Sequence, residues 1–522
     1  MPTAPAPALR RPKRHRDKAV PSQAQPREIE LKLELASGAI APLLAHPALA
    51  QARPLPDQSG RLRAVYYDTE DRALRRAGIS LRIRSRNGCA IQTLKAEHGA
   101  RGLAMNRGEW ETPVGDTLDF AAIADTPLGS LLPDQEARQA VKPLFTIETQ
   151  RDAFALEHDG AVIEIAVDRA VASAGGRFLP FSEIELELKQ GEPAALFGLA
   201  RALGEAAPLR LGLMTKSERG YTLLESRSVR PFKAETIELP QDASCAEAFL
   251  IIARSCLSQM ARNEALFRQT QDPAALHQMR VGLRRLRAAM SLFKKHMPDD
   301  RETTRIRKDL RRASRPLGQA RDLDVLLERL RGGGAAGYGP SDLERVERRR
   351  QQAYGHLLDV LETPRFATMP LRIAAWIETA AWSAGDKGRR KKDLEHSARD
   401  FAAAELARRW QRIRKSARQL READDAARHA LRIRIKKLRY GTEFLGSLFA
   451  SGKARRRRET LLGITKDLQD LLGELHDLAV QDSLVPFLPA LSPKRRERRA
   501  GKLLHRAEAA AARLDRTKPF WI

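Results

Sequence analysis

Two pairs of carboxylates, Glu28 with Glu30 and Glu185 with Glu187, stand at i and i+2, and Arg82 and Arg84 repeat that spacing in a segment that precedes Lys95. On an extended strand, residues two apart point to the same face, roughly 7 Å from one another. Like charges so placed repel unless a cation lies between them. Paired carboxylates suit a divalent ion that takes oxygen ligands. Rows of Arg and Lys suit the oxygens of a phosphate chain. The chemistry open to this set is metal-assisted work on a phosphorylated anion. No Ser/His or Cys/His set suggests a covalent route, and the three cysteines, Cys89, Cys245 and Cys256, show no zinc-ligand spacing.

These residues need strands to position them. "EIELKLEL" from Glu28 alternates charged Glu28, Glu30, Lys32 and Glu34 with Ile29, Leu31, Leu33 and Leu35. "LRIRSR", "GEWET" and "SEIELELK" repeat the pattern with Arg82, Arg84 and Arg86, with Glu109 and Glu111, and with Glu183, Glu185, Glu187 and Lys189. One such strand is most simply part of an antiparallel sheet with its charged face in water. Several of them rolled into a barrel would enclose that face as a tunnel, lined by acids for metal and bases for phosphate.

A second constellation is helical. In "LHQMRVGLRRLR", Leu276–Arg287, the period of 3.6 gathers Leu276, Met279, Leu283 and Leu286 on one side, extended by Met290. His277, Arg280, Arg284 and Arg287 line the neighbouring side, a row of cations roughly 15 Å long. A lone basic helix is most simply a solvated face. Here the pattern recurs in "ARHALRIRIKKLRY", where His429, Arg432, Lys436, Lys437 and Arg439 match His277, Arg280, Arg284, Arg285 and Arg287. "LGQARDLDV" (317–325) follows the first copy and "LGELHDLAV" (472–480) the second. This is an internal duplication, and a solvated face has no reason to keep its cation spacing twice.

The charge distribution agrees. Of the 93 Lys and Arg and 66 Asp and Glu, 32 and 29 lie up to Arg230 and 61 and 37 beyond it, so nearly all of the net charge of +27 belongs to the second part. That part is built for an anionic partner. Aromatics make up only 5% of the chain, and only Tyr440 ends a basic stripe. Stacking platforms for single-stranded nucleic acid are therefore missing. An anion with phosphates and no bases fits best, with a duplex read through its phosphates as the alternative. Residues 1–27, rich in Pro, Ala and basic side chains, read as a disordered tail and not a secretory signal. No apolar stretch is long enough to span a membrane, and sparse cysteines suit a reducing cytosol. The glycine run 331–340 reads as a linker between the repeated halves, and the basic runs "GRRKK", "RRRR" and "KRRERR" as solvated surface.

"EIELK", "VYYDT", "LRIR", "TLK", "RGEWE", "EIAVD", "EIELELK" and "KSERGY" occur in the order of the CYTH superfamily, the triphosphate tunnel metalloenzymes, which this part of the chain resembles. The duplicated part resembles the CHAD domain, the conserved-histidine α-helical domain. The arrangement is similar to bacterial CYTH-CHAD proteins, some of which are inorganic triphosphatases. The resemblance implies an α+β multidomain chain: an antiparallel eight-stranded β-tunnel over 28–224, then an all-α duplicated four-helix-bundle domain over 235–511, with halves of about 235–330 and 341–511.

It also implies roles. Glu28, Glu30, Glu185 and Glu187 would hold Mg²⁺ or Mn²⁺, with Glu28, Glu30 and Lys32 catalytic. Lys32, Arg82, Arg84, Lys95, Arg107, Arg151, Lys216 and Arg219 would grip a triphosphate, and Glu109, Glu111, Glu164, Asp168 and Glu183 would be further tunnel acids. In the CHAD part, His277, Arg280, Arg284, Arg285, Arg287 and Arg321, with His429, Arg432, Lys436, Lys437, Arg439 and His476, would line a groove for inorganic polyphosphate. The second half has His476 and Ala479 where the first has Arg321 and Asp324, so the two segments need not share duties equally. Asp322 and Asp477 either orient neighbouring bases or serve helix structure. The expected activity is metal-dependent tripolyphosphate hydrolysis coupled to polyphosphate binding in the cytosol, with association with polyphosphate granules open. The alternatives are a non-catalytic polyphosphate-binding or granule-targeting protein, and a tunnel acting on a nucleotide or thiamine triphosphate.

Overall fold

A computed structural model describes residues 27–97, 103–224, 230–331, 339–379, 395–484 and 493–522. The tail before Arg27, most of the glycine run and the "GRRKK" segment lie outside the described residues.

Eight strands form the first part: β1 (Arg27–Glu34), β2 (Gly60–Asp68), β3 (Ile79–Arg86), β4 (Cys89–Glu97), β5 (Met105–Val114), β6 (Lys142–His158), β7 (Ala161–Ala174) and β8 (Arg177–Gln190). They pair antiparallel in the order β1-β5-β4-β3-β2-β6-β7-β8, and β8 pairs back onto β1, closing the barrel. Closure leaves no free edge between these strands. It also fixes which residues face in, because register carries one inward row across every pair. Lys32 stands opposite Glu185, Glu28 opposite Arg107, Lys95 opposite Glu109, and Asp168 opposite both Arg151 and Glu183. The charged face of each alternating strand is thus the lumen.

The apolar faces point outward and are covered. Leu31, Leu33, Ile163, Ile165, Ile184 and Leu186 are buried under helix α1 (Ala194–Leu203) in a core continuous with the helical part. On β6 and β7 the inward row changes from Arg151 and Asp168 to Phe145, Ile147, Ala170 and Ala172, apolar positions buried together with Tyr221 of α2 (Lys216–Leu224). Tyr221 meets Phe145 edge to face at 5.1 Å, and a Cβ at Gly220 would fall 2.1 Å from the Phe145 ring, so only glycine allows this approach. That packing aims Lys216 and Arg219 of the same helix at the acids of the lumen.

The second part is helical: α3 (Cys245–Thr270), α4 (Pro273–Leu292), α5 (Arg301–Arg331), α6 (Pro340–Glu362), α7 (Met369–Glu378), α8 (Ala398–Arg418), α9 (Asp425–Leu445), α10 (Gly452–Leu484) and α11 (Pro493–Arg516). Helices α3 to α6 form one four-helix bundle and α8 to α11 a second. Each stripe helix starts at an Asp N-cap, Asp272 for α4 and Asp424 for α9, and buries its predicted apolar side. The duplication extends to the caps. Ser244 and Ser397 start α3 and α8, each accepting a backbone N–H, and the two serines pair across an antiparallel bridge.

The division between the repeated halves is expected near the glycine run, just before α6. This helix follows the run yet packs on α5, with the Tyr354 hydroxyl donating to Asp324 at 2.8 Å and its ring meeting Phe267 of α3 at 5.2 Å. The helices on either side of the run, α5 and α6, thus pack in one bundle. The sequence reading followed the basic stripe and missed α6, whose outer face is as charged as a linker. No described helix is long and apolar enough to cross a membrane.

Candidate functional site

The lumen holds acids and bases in alternation. Lys32, almost fully buried, contacts Glu30 and Glu185. Lys216 lies 2.7 Å from each of Asp168, Glu183 and Glu185. Arg151 donates through Nε and Nη2 to Asp168 at 2.8 and 2.6 Å and through Nη2 to Glu185 at 2.7 Å. Further along, Lys95 reaches Glu28 at 2.7 Å and Glu109 at 3.1 Å. Arg107 bridges Glu28 and Glu30 at 3.3 and 3.1 Å, and Arg219 holds Glu34 at 2.6 Å. Among the described residues Arg82 donates to the Tyr66 hydroxyl alone, at 3.4 Å, and Arg84 pairs loosely with Glu111 at 3.3 Å.

Burial in this lumen disfavours every charge, so the sign of each pKa shift tells which partners outweigh it. Burial raises the Glu185 carboxyl, but Lys216, Lys32 and Arg151 together hold it well below the usual range. Lys95 and Arg107 do the same for Glu28. Glu30 goes the other way: burial, with Glu185 and Glu28 nearby, pushes it up to about 7 against the pull of Lys32 and Arg107. Arg84 is lowered to about 10, first by Arg82 and then by burial. The lumen thus contains an acid short of positive charge and a base short of negative charge.

A divalent cation is implied by the resemblance, and the donors fit one. Asp168, Glu183 and Glu185 each offer a carboxylate oxygen within 4.8 Å of the others, an all-oxygen set suited to a hard ion. Glu30, whose carboxyl is raised, is the neighbour that added positive charge would relieve. This trio differs from the set expected from sequence. Glu185 belongs to both; Glu28 pairs with Lys95 and Arg107, and Glu187 with Lys189 at 2.5 Å, as the trio pairs with Lys32, Lys216 and Arg151. Asp168 and Glu183 face each other across β7 and β8; the alternation of "EIAVD" and "SEIELELK" contained that information, but strand register did not follow from it. Glu164 lies off the trio, accepting from Gln58 at 3.1 Å.

In the helical part, α4 and α9 pack together and their basic stripes meet. Arg284 is close enough to help depress both Arg432 and Lys436, and Arg280 also acts on Lys436. Buried Nε atoms of Arg284 and Arg432 have no hydrogen-bond acceptor among the described residues, nor has His429 Nδ1, while Arg439 pairs with Glu443 of its own helix at 3.3 Å. The result is one continuous track of donors, not two separate sites. Arg321 faces His277 at one end, and His476 packs against His429 at the other, the rings tilted by 41° with centroids 4.3 Å apart. Asp322 lies near Arg280, Arg321 and Arg432, while Asp477 accepts from Arg329 at 2.8 Å.

Two expected groove residues are placed differently. Arg285 is 3% exposed, donates to Gln259 at 2.7 Å and lies over the Phe444 ring; it packs α4 against its neighbours and does not line the track. Its counterpart Lys437 is exposed, on the side toward Arg287 and Arg409. Helical spacing put Arg285 one position off the stripe, and burial of its aliphatic stem decided the side.

Residues 26–221 match the CYTH domain family and residues 251–486 the CHAD domain family. Over 200 residues the chain is 30% identical to an inorganic triphosphatase of Haemophilus influenzae, an alignment that spans 38% of this chain and 54% of that relative, so the chain covers about half of the relative's length. Among solved structures, the CHAD domain from the plant Ricinus communis is 28% identical, covering 55% of this chain and 97% of that one with a TM-score of 0.45. A protein from Hippeastrum, assigned as an adenylyl cyclase and described as having a dominant triphosphatase activity, is 22% identical, covering 37% of this chain and 95% of that one with a TM-score of 0.28. The chain thus carries a CYTH domain in its barrel part, residues 26–221, and a CHAD domain in its helical part, residues 251–486.

Proposed function

We propose that the barrel hydrolyses inorganic tripolyphosphate with the help of Mg²⁺ or Mn²⁺, and that the basic track of the helical bundles binds inorganic polyphosphate. The observation that carries the first reading is the pairing of Lys32, Arg151 and Lys216 with Asp168, Glu183 and Glu185 inside a closed barrel. A triphosphate that enters takes these bases for its own oxygens and leaves the three carboxylates without counter-charge. Asp168, Glu183 and Glu185 would then hold a divalent cation that balances their charge. When bound, it supplies Lewis-acid polarisation of the phosphoryl oxygens. The chain's own residues do the rest. Arg82, Arg84, Lys95, Arg107 and Arg219 align the phosphate chain, and Lys32 and Lys216 neutralise the oxygens where negative charge is greatest. A water then attacks the terminal phosphorus in line, the bond from that phosphorus to the bridging oxygen breaks, and orthophosphate and diphosphate leave, the water's proton passing to a phosphate oxygen or to solvent. The Haemophilus relative, an inorganic triphosphatase, supports the assignment.

The second reading rests on the donors of Arg284 and Arg432 that lack acceptors among the described residues. Phosphate oxygens are the acceptors that fit, since Arg offers them charge and directed N–H groups together. The free cysteines suit a cytosolic setting.

The test is phosphate release from tripolyphosphate, ATP and thiamine triphosphate side by side, with Mg²⁺, with Mn²⁺ and with chelator. Turnover of tripolyphosphate in preference to the other two, abolished by chelator, is the expected result. Preference for a substrate with a base or thiazole group would reassign the tunnel, and no turnover at all would make it a binding module.

A further inference from the structure

The duplication supplies an internal control. Helices α5 and α10 are equivalent, in register at 155 residues: Ile306, Ala313, Leu317 and Gly318 are buried where Leu461, Leu468, Leu472 and Gly473 are buried. Their outer faces are not equivalent. On α5, Arg301, Arg305, Lys308, Arg312 and Arg315 are all exposed, at spacings of 4, 3, 4 and 3, which puts them in one file roughly 21 Å long. The matching positions on α10 are Arg456, Thr460, Gly463, Asp467 and Asp470, equally exposed. The shared fold therefore does not require five cations there.

None of the five forms an ion pair among the described residues. The acids of α5 that could have quenched them are engaged elsewhere: Asp309 accepts from Arg365 at 2.9 Å and from Arg372, and Glu302 lies 3.5 Å from Arg372. The file also connects to the basic track. Arg287 of the track donates to Ser314 of α5 at 2.8 Å and feels the charge of Arg311. At about 100° per residue, Ser314, Arg311 and Arg315 step around the helix from the track to the outer file, and Arg311 is exposed and cationic in its own right.

We propose that the outer face of α5 is a second segment of the polyanion site, along which a long inorganic polyphosphate chain continues after it leaves the track between α4 and α9. This rests on the polyphosphate reading of the track. A single file of permanent cations matches a linear anion with a charge on every unit, and continuity through Arg311 and Arg315 lets one chain occupy both segments. The second segment then acts at high effective concentration. The occupant is one flexible polymer of phosphate; short chains fill the track alone.

The experiment uses the full chain with Arg301, Arg305, Lys308, Arg312 and Arg315 all changed to Gln, which keeps helix propensity on an exposed face. A companion variant with the four arginines changed to Lys retains the charge. Binding of long-chain polyphosphate and of tripolyphosphate is titrated at several salt concentrations. The expected result is a loss of long-chain affinity of at least about tenfold and a salt slope shallower by up to about 3.5, from about 0.7 per phosphate contact. Tripolyphosphate binding should stay unchanged, and the Lys variant should behave as wild type. Unchanged long-chain affinity and slope in the Gln variant overturn the proposal. So does a variant that loses duplex DNA binding while keeping polyphosphate. A parallel variant, Arg280→Gln with Arg284→Gln and Arg287→Gln, separates the two readings. If it too leaves long-chain affinity intact, the polyphosphate assignment of the track has failed; if it weakens binding and the α5 variant does not, only the extension has failed.

Discussion

The guanidinium of Arg280 rests against Gly318 of α5, where a Cβ would stand 2.5 Å from Nη1. Arg432 rests on Gly473 of α10 in the same way, where a Cβ would stand 3.4 Å from Nε and Nη2, at ordinary contact distance. The glycine that follows leucine in "LGQARDLDV" and in "LGELHDLAV" therefore makes the floor on which a track arginine lies. Glycine inside a helix costs about 1 kcal/mol relative to alanine, so the motif gives up helix stability for the placement of a cation. Gly318→Ala should leave the melting temperature unchanged or slightly higher while weakening long-chain polyphosphate binding several-fold, with a salt slope shallower by about 0.7. Gly473→Ala, with more room, should do less. Paired melts and salt titrations decide it; a Gly318→Ala protein that melts early and binds normally would mean that the glycine serves helix packing.

Lys436 makes the track sensitive to pH. Burial first, then Arg432, Arg284, Arg280 and Arg439, lower its ammonium from the ordinary 10.5 to about 7. Between those values the unfolded chain holds a proton that the folded, unliganded protein lacks, so this group adds stability as pH rises from about 7 and removes it as pH falls. A bound polyanion reverses the repulsion and restores the charge. Binding should therefore take up a proton near pH 7.5 and strengthen toward pH 6, by up to about tenfold per unit for one proton. His277 and His476, both held low by burial and then by neighbouring cations or His429, add to this in the same direction. Calorimetric titration in buffers of different ionisation enthalpy measures the uptake, and Lys436→Met should reduce it by about one proton at most. No net uptake in the wild type would contradict the account.

The two parts of the chain meet through ion pairs as well as the shared core. Arg262 of α3 donates to Glu218 of α2 at 2.5 Å and lies over the Phe232 ring, while Arg210 joins Glu264 at 2.8 Å and Glu362 at 2.6 Å. Glu218 also accepts from the Thr215 backbone N–H at 2.8 Å, just before the helix that carries Lys216 and Arg219. Arg262→Met should cost about 2 kcal/mol, less than a fully buried pair because Glu218 is partly exposed. Because it frees α2, it should also raise KM for tripolyphosphate more than it lowers kcat. Denaturant melts and steady-state kinetics test both; a stability loss with unchanged KM would confine the pair to domain docking.

Much of this was legible in the residues. Alternation in "EIELKLEL" and its relatives specified strands with one charged face, and the repeat of "LHQMRVGLRRLR" specified two equivalent helices with a basic stripe. Pairing was not legible. Which acids converge depends on Asp168 standing opposite Glu183 and Lys32 opposite Glu185, and register between distant strands is set by closure of the barrel, not by any one strand's pattern. The side on which Arg285 falls was settled by contact with Gln259 and Phe444, tertiary partners that helical spacing cannot name. Helix α6 was missed for a related reason: its few buried residues, Val346, Tyr354, Leu357 and Leu361, are spaced thinly among charges and gain meaning only against α5.

The central claim is that two polyphosphate chemistries sit in two separate places on one chain. The measurement that tests it most directly follows tripolyphosphate hydrolysis and long-chain polyphosphate binding in the same two variants, Glu183→Gln with Glu185→Gln in the barrel, and Arg280→Gln with Arg284→Gln and Arg287→Gln in the track. The account predicts that the barrel variant loses hydrolysis by at least about a hundredfold, the size expected for removing an electrostatic centre of this kind, and binds long chains as the wild type does. The track variant should hydrolyse normally and lose long-chain affinity. Loss of both activities in either folded variant, or retained hydrolysis in the barrel variant, would contradict it.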